Sequence, residues 1–313
     1  SIVSFGAIAL CGQMAASSYF TGRGKTRLVF WVNILGNAVN VGLDPVLIFG
    51  LLGCPRLGMA GAAYATVLGQ TVASLLGLFM NLKYNADIRF SFDKILHPRA
   101  DIVKQIYFVG IPSILMMSIG SVMTYLMNKI LLGFSTTAAA VFGVYFRLQS
   151  FFFMPVFGLN NGLIPVLAYN YGARKKERID EALRFSMLLA IAIMCVGTLV
   201  YEAVPEALLL LFNASEDMLR IGVPALRIIC LCFPLAGACI AMGSIFQAFS
   251  RSLYSLVISI GRQLVVLIPT AWLLSKTGVV TNVWWAFPIA ESVSLFLSLF
   301  FFRRLYDSVV KTL

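Results

Sequence analysis

Few polar side chains in this 313-residue chain lie inside long apolar runs, and those few are its candidates for chemistry. Asp44 lies in the run 28–52 with Asn40 four residues before it, so on a helix the two share a face one turn apart. A carboxylate and an amide oxygen are hard ligands that suit a sodium ion, and a carboxyl can also exchange a proton. Thr66, in the next run, adds a hydroxyl. The same residues have a plainer reading, in which Asp44-Pro45 marks a helix kink or end and the carboxylate serves backbone freed by the proline. Glu291 is the other acid inside a run, where ionisable groups are costly. It either pairs with an intramembrane arginine such as Arg262 or Arg147 as a structural ion pair, or contacts a substrate directly. Asn128, Gln149, Asn160, Asn161, Gln247 and Gln263 also interrupt apolar runs. They either line a water-filled cavity or bond neighbouring helices, at about 0.6–2 kcal/mol each.

Other chemistries lack their residues. Gly24-Lys25-Thr26 resembles the end of a phosphate loop, but that motif needs a glycine where Tyr19 stands. There is no HExxH and no GxSxG motif. Six cysteines without a CxxC pair, and one histidine, His97, indicate neither a disulfide framework nor a zinc site.

The elements that must position these residues are membrane helices. The chain is 60% hydrophobic and 12% charged, with a mean hydropathy of +0.90, against roughly 45–50% apolar and 25% charged in soluble domains. Its apolar residues form nine candidate spans, each long enough to cross a hydrocarbon core of ~30 Å: 1–20, 28–52, 58–82, 102–132, 138–168, 183–205, 218–248, 254–275 and 282–302. Composition therefore excludes a soluble enzyme, a disordered chain and a β-barrel. The net charge of +11 does not point to nucleic acid, because 17 of the 24 basic residues fall in alternate loops and the tail. The loops between spans on the opposite side carry only Arg56, Arg220 and Lys276. The positive-inside rule then predicts a cytoplasmic C-terminus.

Two stretches repeat one pattern about 226 residues apart, SYFTGRGKTR (18–27) and SIFQAFSRSL (244–253), each ending a span before a short basic turn. The repeat predicts two six-helix halves of like order, a transporter architecture with the substrate cavity between them. Residues 1–82 would then be the second half of the first lobe, 83–101 a cytoplasmic linker, 102–302 the second lobe and 303–313 a cytoplasmic tail. Ser1 falls inside an apolar run, and the offset predicts about three further spans upstream. In the segment GARKKERIDEALR (172–184) a basic loop leads into an amphipathic helix start, as suits anionic lipid.

Several stretches together resemble the multidrug and toxic compound extrusion (MATE) transporters. They are NVGLDPVLIFG (40–50) with GMAGAAYATVLGQ (58–70), FVGIPSILMMSIGSVMTYLMN (108–128), FRLQSFFFMPVFGLNNGLIPVLAYNYGARKKERIDEALR (146–184), and IFQAFSRS (245–252) with GRQLVVLIP (261–269). The resemblance implies an all-α integral membrane protein of two six-helix lobes, with about nine transmembrane helices here. It implies a monomeric plasma-membrane antiporter without cofactors, expelling organic cations or other amphipathic compounds in exchange for sodium ions or protons. It also assigns Asn40, Asp44 and Thr66 to a cation-coupling network whose fourth member, an Asp of the first helix, falls outside this chain. Sodium-type members carry two second-lobe acids where this sequence has Gly120 and Ala236, so coupling is expected in the first lobe. Asn128, Gln149, Asn160, Gln247, Arg262 and Glu291 are the candidates for the substrate cavity. Two alternatives stay open at this point. Arg147, Arg227 and Arg262 would suit a lipid-linked saccharide flippase of the same wider superfamily, and a membrane enzyme or scaffold would need a convergent acid–base pair.

Overall fold

The computed structural model describes residues 2–22, 25–84, 99–249 and 251–311, and every regular element among them is helical. Arg23 lies outside the described residues, as does most of the polar stretch 83–101, including Arg89, Lys94 and His97. Among the described residues six helices are long and apolar enough to cross a membrane: Thr26–Phe49, Met59–Tyr84, Thr136–Gly172, Lys176–Ala203, Leu253–Ser275 and Val280–Val310. A bent pair makes a seventh. The chain divides into two compact units, residues 1–98 and 99–313.

The first unit holds α1 (Ile2–Gly22), α2 (Thr26–Phe49) and α3 (Met59–Tyr84). Every fourth residue along one face of α3 is small and buried: Gly61, Ala65, Gly69, Ala73 and Gly77. A Cβ on Gly36 of α2 would lie 2.6 Å from the Ala73 Cβ, and one on Gly69 would lie 2.9 Å from both the Gly36 carbonyl oxygen and the Asn40 Cβ. The two backbones thus pack as closely as glycine alone permits, the usual device where lipid supplies no hydrophobic drive between helices. Helix α2 continues through Pro45 and stops at Gly50, whose left-handed φ of 74° lets its N–H close the last turn on the Val46 carbonyl.

The second unit begins with α4 (Ala100–Leu132), α5 (Thr136–Gly172) and α6 (Lys176–Ala203), followed by the short α7 (Pro205–Leu210). Ser135 caps α5, its hydroxyl accepting the Ala138 N–H at 3.0 Å. Pro155 and Pro165 both lie inside α5, which remains one helix of 37 residues.

The single span expected over 218–248 is instead two helices, α8 (Glu216–Cys230) and α9 (Phe233–Ala248), meeting at 47°. Pro234 stands at the break, and its missing N–H leaves the Cys230 carbonyl without a helical donor. Thr198 of α6 supplies one, its hydroxyl donating to that carbonyl at 3.0 Å. The next span is also irregular. It runs as α10 (Ser252–Ile260), a π-helical turn (Gly261–Leu267) and α11 (Ile268–Ser275). Pro269 cannot donate back to Val265, and the wider turn absorbs the mismatch. The last span follows as α12 (Val280–Trp284) and α13 (Ala286–Leu305), ending in a second π turn (Tyr306–Val310). The Tyr306 hydroxyl donates to Asp180 at 2.8 Å, tying that end to the start of α6.

Two apolar clusters hold this unit together. One packs Phe142, Phe153, Tyr201, Phe233 and Trp284 among aliphatic neighbours, with edge-on ring pairs such as Phe153–Phe233 at 5.3 Å. The other gathers Leu163, Leu167, Ile179, Phe246 and Leu305.

Candidate functional site

The second unit has a half-open cavity of about 870 Å³, within the roughly 300–1,000 Å³ usual for small-molecule sites. All six substrate-cavity candidates are on its wall: Asn128 from α4, Gln149 and Asn160 from α5, Gln247 from α9, Arg262 from the π turn and Glu291 from α13. Gln149 and Asn160 are about three helical turns apart and so share a face, together with Phe146, Phe153 and Phe157, which also line the cavity. The consecutive residues Arg262 and Gln263 of the π turn are both on the wall. Asn161 is exposed and is not on the wall.

Arg262 and Glu291 meet, Nη1 donating to Oε2 at 3.0 Å. Glu291 is only 6% exposed, so a neutralising partner is what makes its burial tolerable. Arg147 is exposed, and Arg227 lies 3.7 Å from Glu202 with both side chains about half exposed. Arg262 is thus the one arginine on the cavity wall among the described residues, and it is paired. Gly120 and Ala236 are both on the wall, which accordingly carries no acid at either place.

The amide oxygens of Gln149 and Asn160 and the Ser255 hydroxyl are buried with no hydrogen-bond partner. A buried polar atom left unmatched costs about 1–3 kcal/mol, so these atoms mark where a guest or water completes the wall. The sequence candidates omitted the hydroxyls that also line it, among them Ser121, Thr124, Ser150, Ser255, Ser259, Ser294 and Ser298. Serine and threonine are unremarkable in helices because they bond their own backbone, as Thr124 does to the Gly120 carbonyl at 2.8 Å. Their spacing carries the signal that could have found them. Ser121, Thr124 and Asn128 fall at helical intervals on one face of α4, as Glu291, Ser294 and Ser298 do on α13.

In the first unit, close packing of α2 on α3 brings two of the three coupling candidates together. Asn40 Nδ2 donates to Thr66 Oγ1 at 3.4 Å, and Thr66 in turn donates to the Ala62 carbonyl at 2.9 Å. Asp44, half-buried one turn beyond Asn40, has no hydrogen bond or ion pair among the described residues. The capping role for its carboxylate is not realised. A further polar pair links α1 to α2, Gln13 Nε2 donating to Asn33 Oδ1 at 2.8 Å.

Long apolar helices around a cavity of small-molecule size define a polytopic helical membrane protein with an internal site. The chain belongs to the MATE family: the MatE family model matches residues 112–273. Among curated relatives it is 27% identical over 262 residues to the multidrug export protein MepA of Staphylococcus haemolyticus, an alignment covering 84% of this chain and 56% of that protein. It is 29% identical over 309 residues to an FAD transporter of Shewanella oneidensis, covering 98% of this chain and 68% of that one. A solved structure of MATE in the straight conformation superposes with a TM-score of 0.87 at 22% identity, over 99% of this chain and 69% of that one. The chain therefore spans between about half and two thirds of the length of these proteins.

Proposed function

We propose that the protein to which this chain belongs is a secondary active antiporter of the plasma membrane, exporting amphipathic small molecules, organic cations among them, in exchange for sodium ions or protons. The observation that carries this reading is the second unit's cavity, whose aromatic wall is interrupted by a few polar side chains and three unmatched buried acceptors. A soft, mostly apolar site with few fixed polar contacts suits varied amphipathic guests. Names of relatives agree with it, one a multidrug export protein and another an FAD transporter. The flippase alternative needs a basic cavity, whereas the one arginine on this wall is neutralised.

In this reading the six apolar helices, the bent α8–α9 pair, α1 and α4 make nine spans, with residues 99–313 forming the second lobe and the C-terminus in the cytoplasm. The protein acts as a monomer in the bilayer. Asn40, Asp44 and Thr66 supply amide, carboxylate and hydroxyl oxygens for the coupling cation, and the unpartnered Asp44 is the group that takes it up and releases it.

The test is uptake of two fluorescent amphipathic guests, one a cation and one a zwitterion, by inverted membrane vesicles containing the protein, under imposed proton or sodium gradients. The expected result is gradient-driven uptake in the wild type and at least a tenfold loss in Asp44→Asn at equal expression. No uptake under either gradient rejects antiport, and normal uptake by the variant removes Asp44 from coupling.

A further inference from the structure

We infer that the second-unit cavity selects zwitterionic guests, with Arg262 reading their anionic group and Glu291 their cationic one. The inference rests on this cavity being the substrate site, and it names the substrate class.

The charges on the wall motivate it. Arg262 and Glu291 are its only formally charged side chains among the described residues, and each uses one edge on the other, Nη1 to Oε2 at 3.0 Å. The remaining guanidinium N–H groups and Glu291 Oε1 have no partner among the described residues. A guanidinium offers five donors in a planar fork, and this one commits a single bond, leaving an edge that fits a carboxylate or phosphate bidentately.

Three kinds of guest can be compared by the charge each leaves in the cavity. A lone cation must either compete with Arg262 for Glu291 or stay without a counter-charge, and both leave a net positive charge in the cavity. A lone anion on Arg262 leaves a net negative charge and sits close to Glu291. A zwitterion lying antiparallel to the pair places its anion on the free edge of Arg262 and its ammonium on Glu291 Oε1. The cavity then stays neutral and both half-used groups are filled. The guest's apolar body lies against Phe153, Phe157 and Phe246, and its N–H donors reach the unmatched amide oxygens of Gln149 and Asn160.

A matched pair of fluorescent probes tests this: a rhodamine with unalkylated amino groups and a free carboxylate, and its methyl ester, which is a cation of nearly the same shape. Binding of each to the purified full-length protein is measured by fluorescence anisotropy, apart from any gradient. The wild type is expected to bind the free acid at least tenfold more tightly than the ester. The double variant Arg262→Gln/Glu291→Gln removes both charges without leaving either stranded, and it should bring the two probes within about twofold while still binding the ester. A wild-type preference for the ester, or an undiminished preference for the acid in the double variant, overturns the inference. If the acid preference holds in binding but neither probe moves under a gradient, the antiport reading fails and the zwitterion site stands. If the ester moves under a gradient and binds the wild type as well as the acid does, antiport stands and the zwitterion site fails.

Discussion

The Arg262–Glu291 pair shows what a single contact decides. Glu291 is nearly enclosed, and its tolerance there depends on one guanidinium at 3.0 Å. Removing that partner alone strands a buried charge, which costs about 3–5 kcal/mol, whereas replacing both ions by neutral groups of like shape is often close to neutral. Arg262→Gln should therefore lower the thermal unfolding midpoint in detergent distinctly more than Arg262→Gln/Glu291→Gln. Equal midpoints for the two variants would show that Glu291 without its partner is not a costly stranded charge. That Glu291 would seek an intramembrane arginine was legible from the cost of burying an acid. Which arginine it finds was not, because Arg262 and Arg147 lie on different helices and only helix packing decides which of them faces α13.

At the scale of elements, the α2–α3 contact joins sequence to site most directly. Small residues at every fourth position of α3 let α2 approach until Asn40 lies beside Thr66. A side chain at Gly69 has no room, since its first carbon would lie 2.9 Å from the Gly36 carbonyl and the Asn40 Cβ. Gly69→Val should cost about 1–3 kcal/mol by overpacking and, by pushing Asn40 from Thr66, should reduce gradient-driven uptake more than binding of the guest. Leu68→Ala, on the exposed neighbouring position, is the control and should change neither. If both variants transport alike, the close contact is only structural. Helix existence followed from hydropathy, but helix breaks did not. Pro155 and Pro165 pass through α5 unbroken, while Pro234 coincides with a bend of 47°. At Pro234 the freed Cys230 carbonyl takes a donor from another helix, the Thr198 hydroxyl.

For the molecule as a whole, charge placement makes a prediction that depends on no single contact. Basic residues gather in alternate loops, the group Arg174, Lys175, Lys176 and Arg178 most densely, while Lys276 stands in a sparsely charged turn. In a cysteine-free background, a cysteine replacing Arg174 should be labelled by an impermeant thiol reagent in inverted vesicles, and one replacing Lys276 in intact cells. The reverse pattern would invert the topology and put the tail outside.

Hydropathy and motif order in the sequence were sufficient for the membrane class, for most of the long apolar helices and for the MATE family, because each depends on solvent preference or local pattern along one chain. The polar residues of the second-unit cavity were also identifiable one by one, since an amide or acid inside an apolar run is costly wherever it points. The tertiary structure decided what they do together. It set the partner of Glu291, the gathering of six polar side chains from five elements around one cavity, the hydroxyl stripes that complete its wall and the bend at Pro234. Each of these depends on which faces of different helices meet, and that is set by packing between segments far apart in sequence.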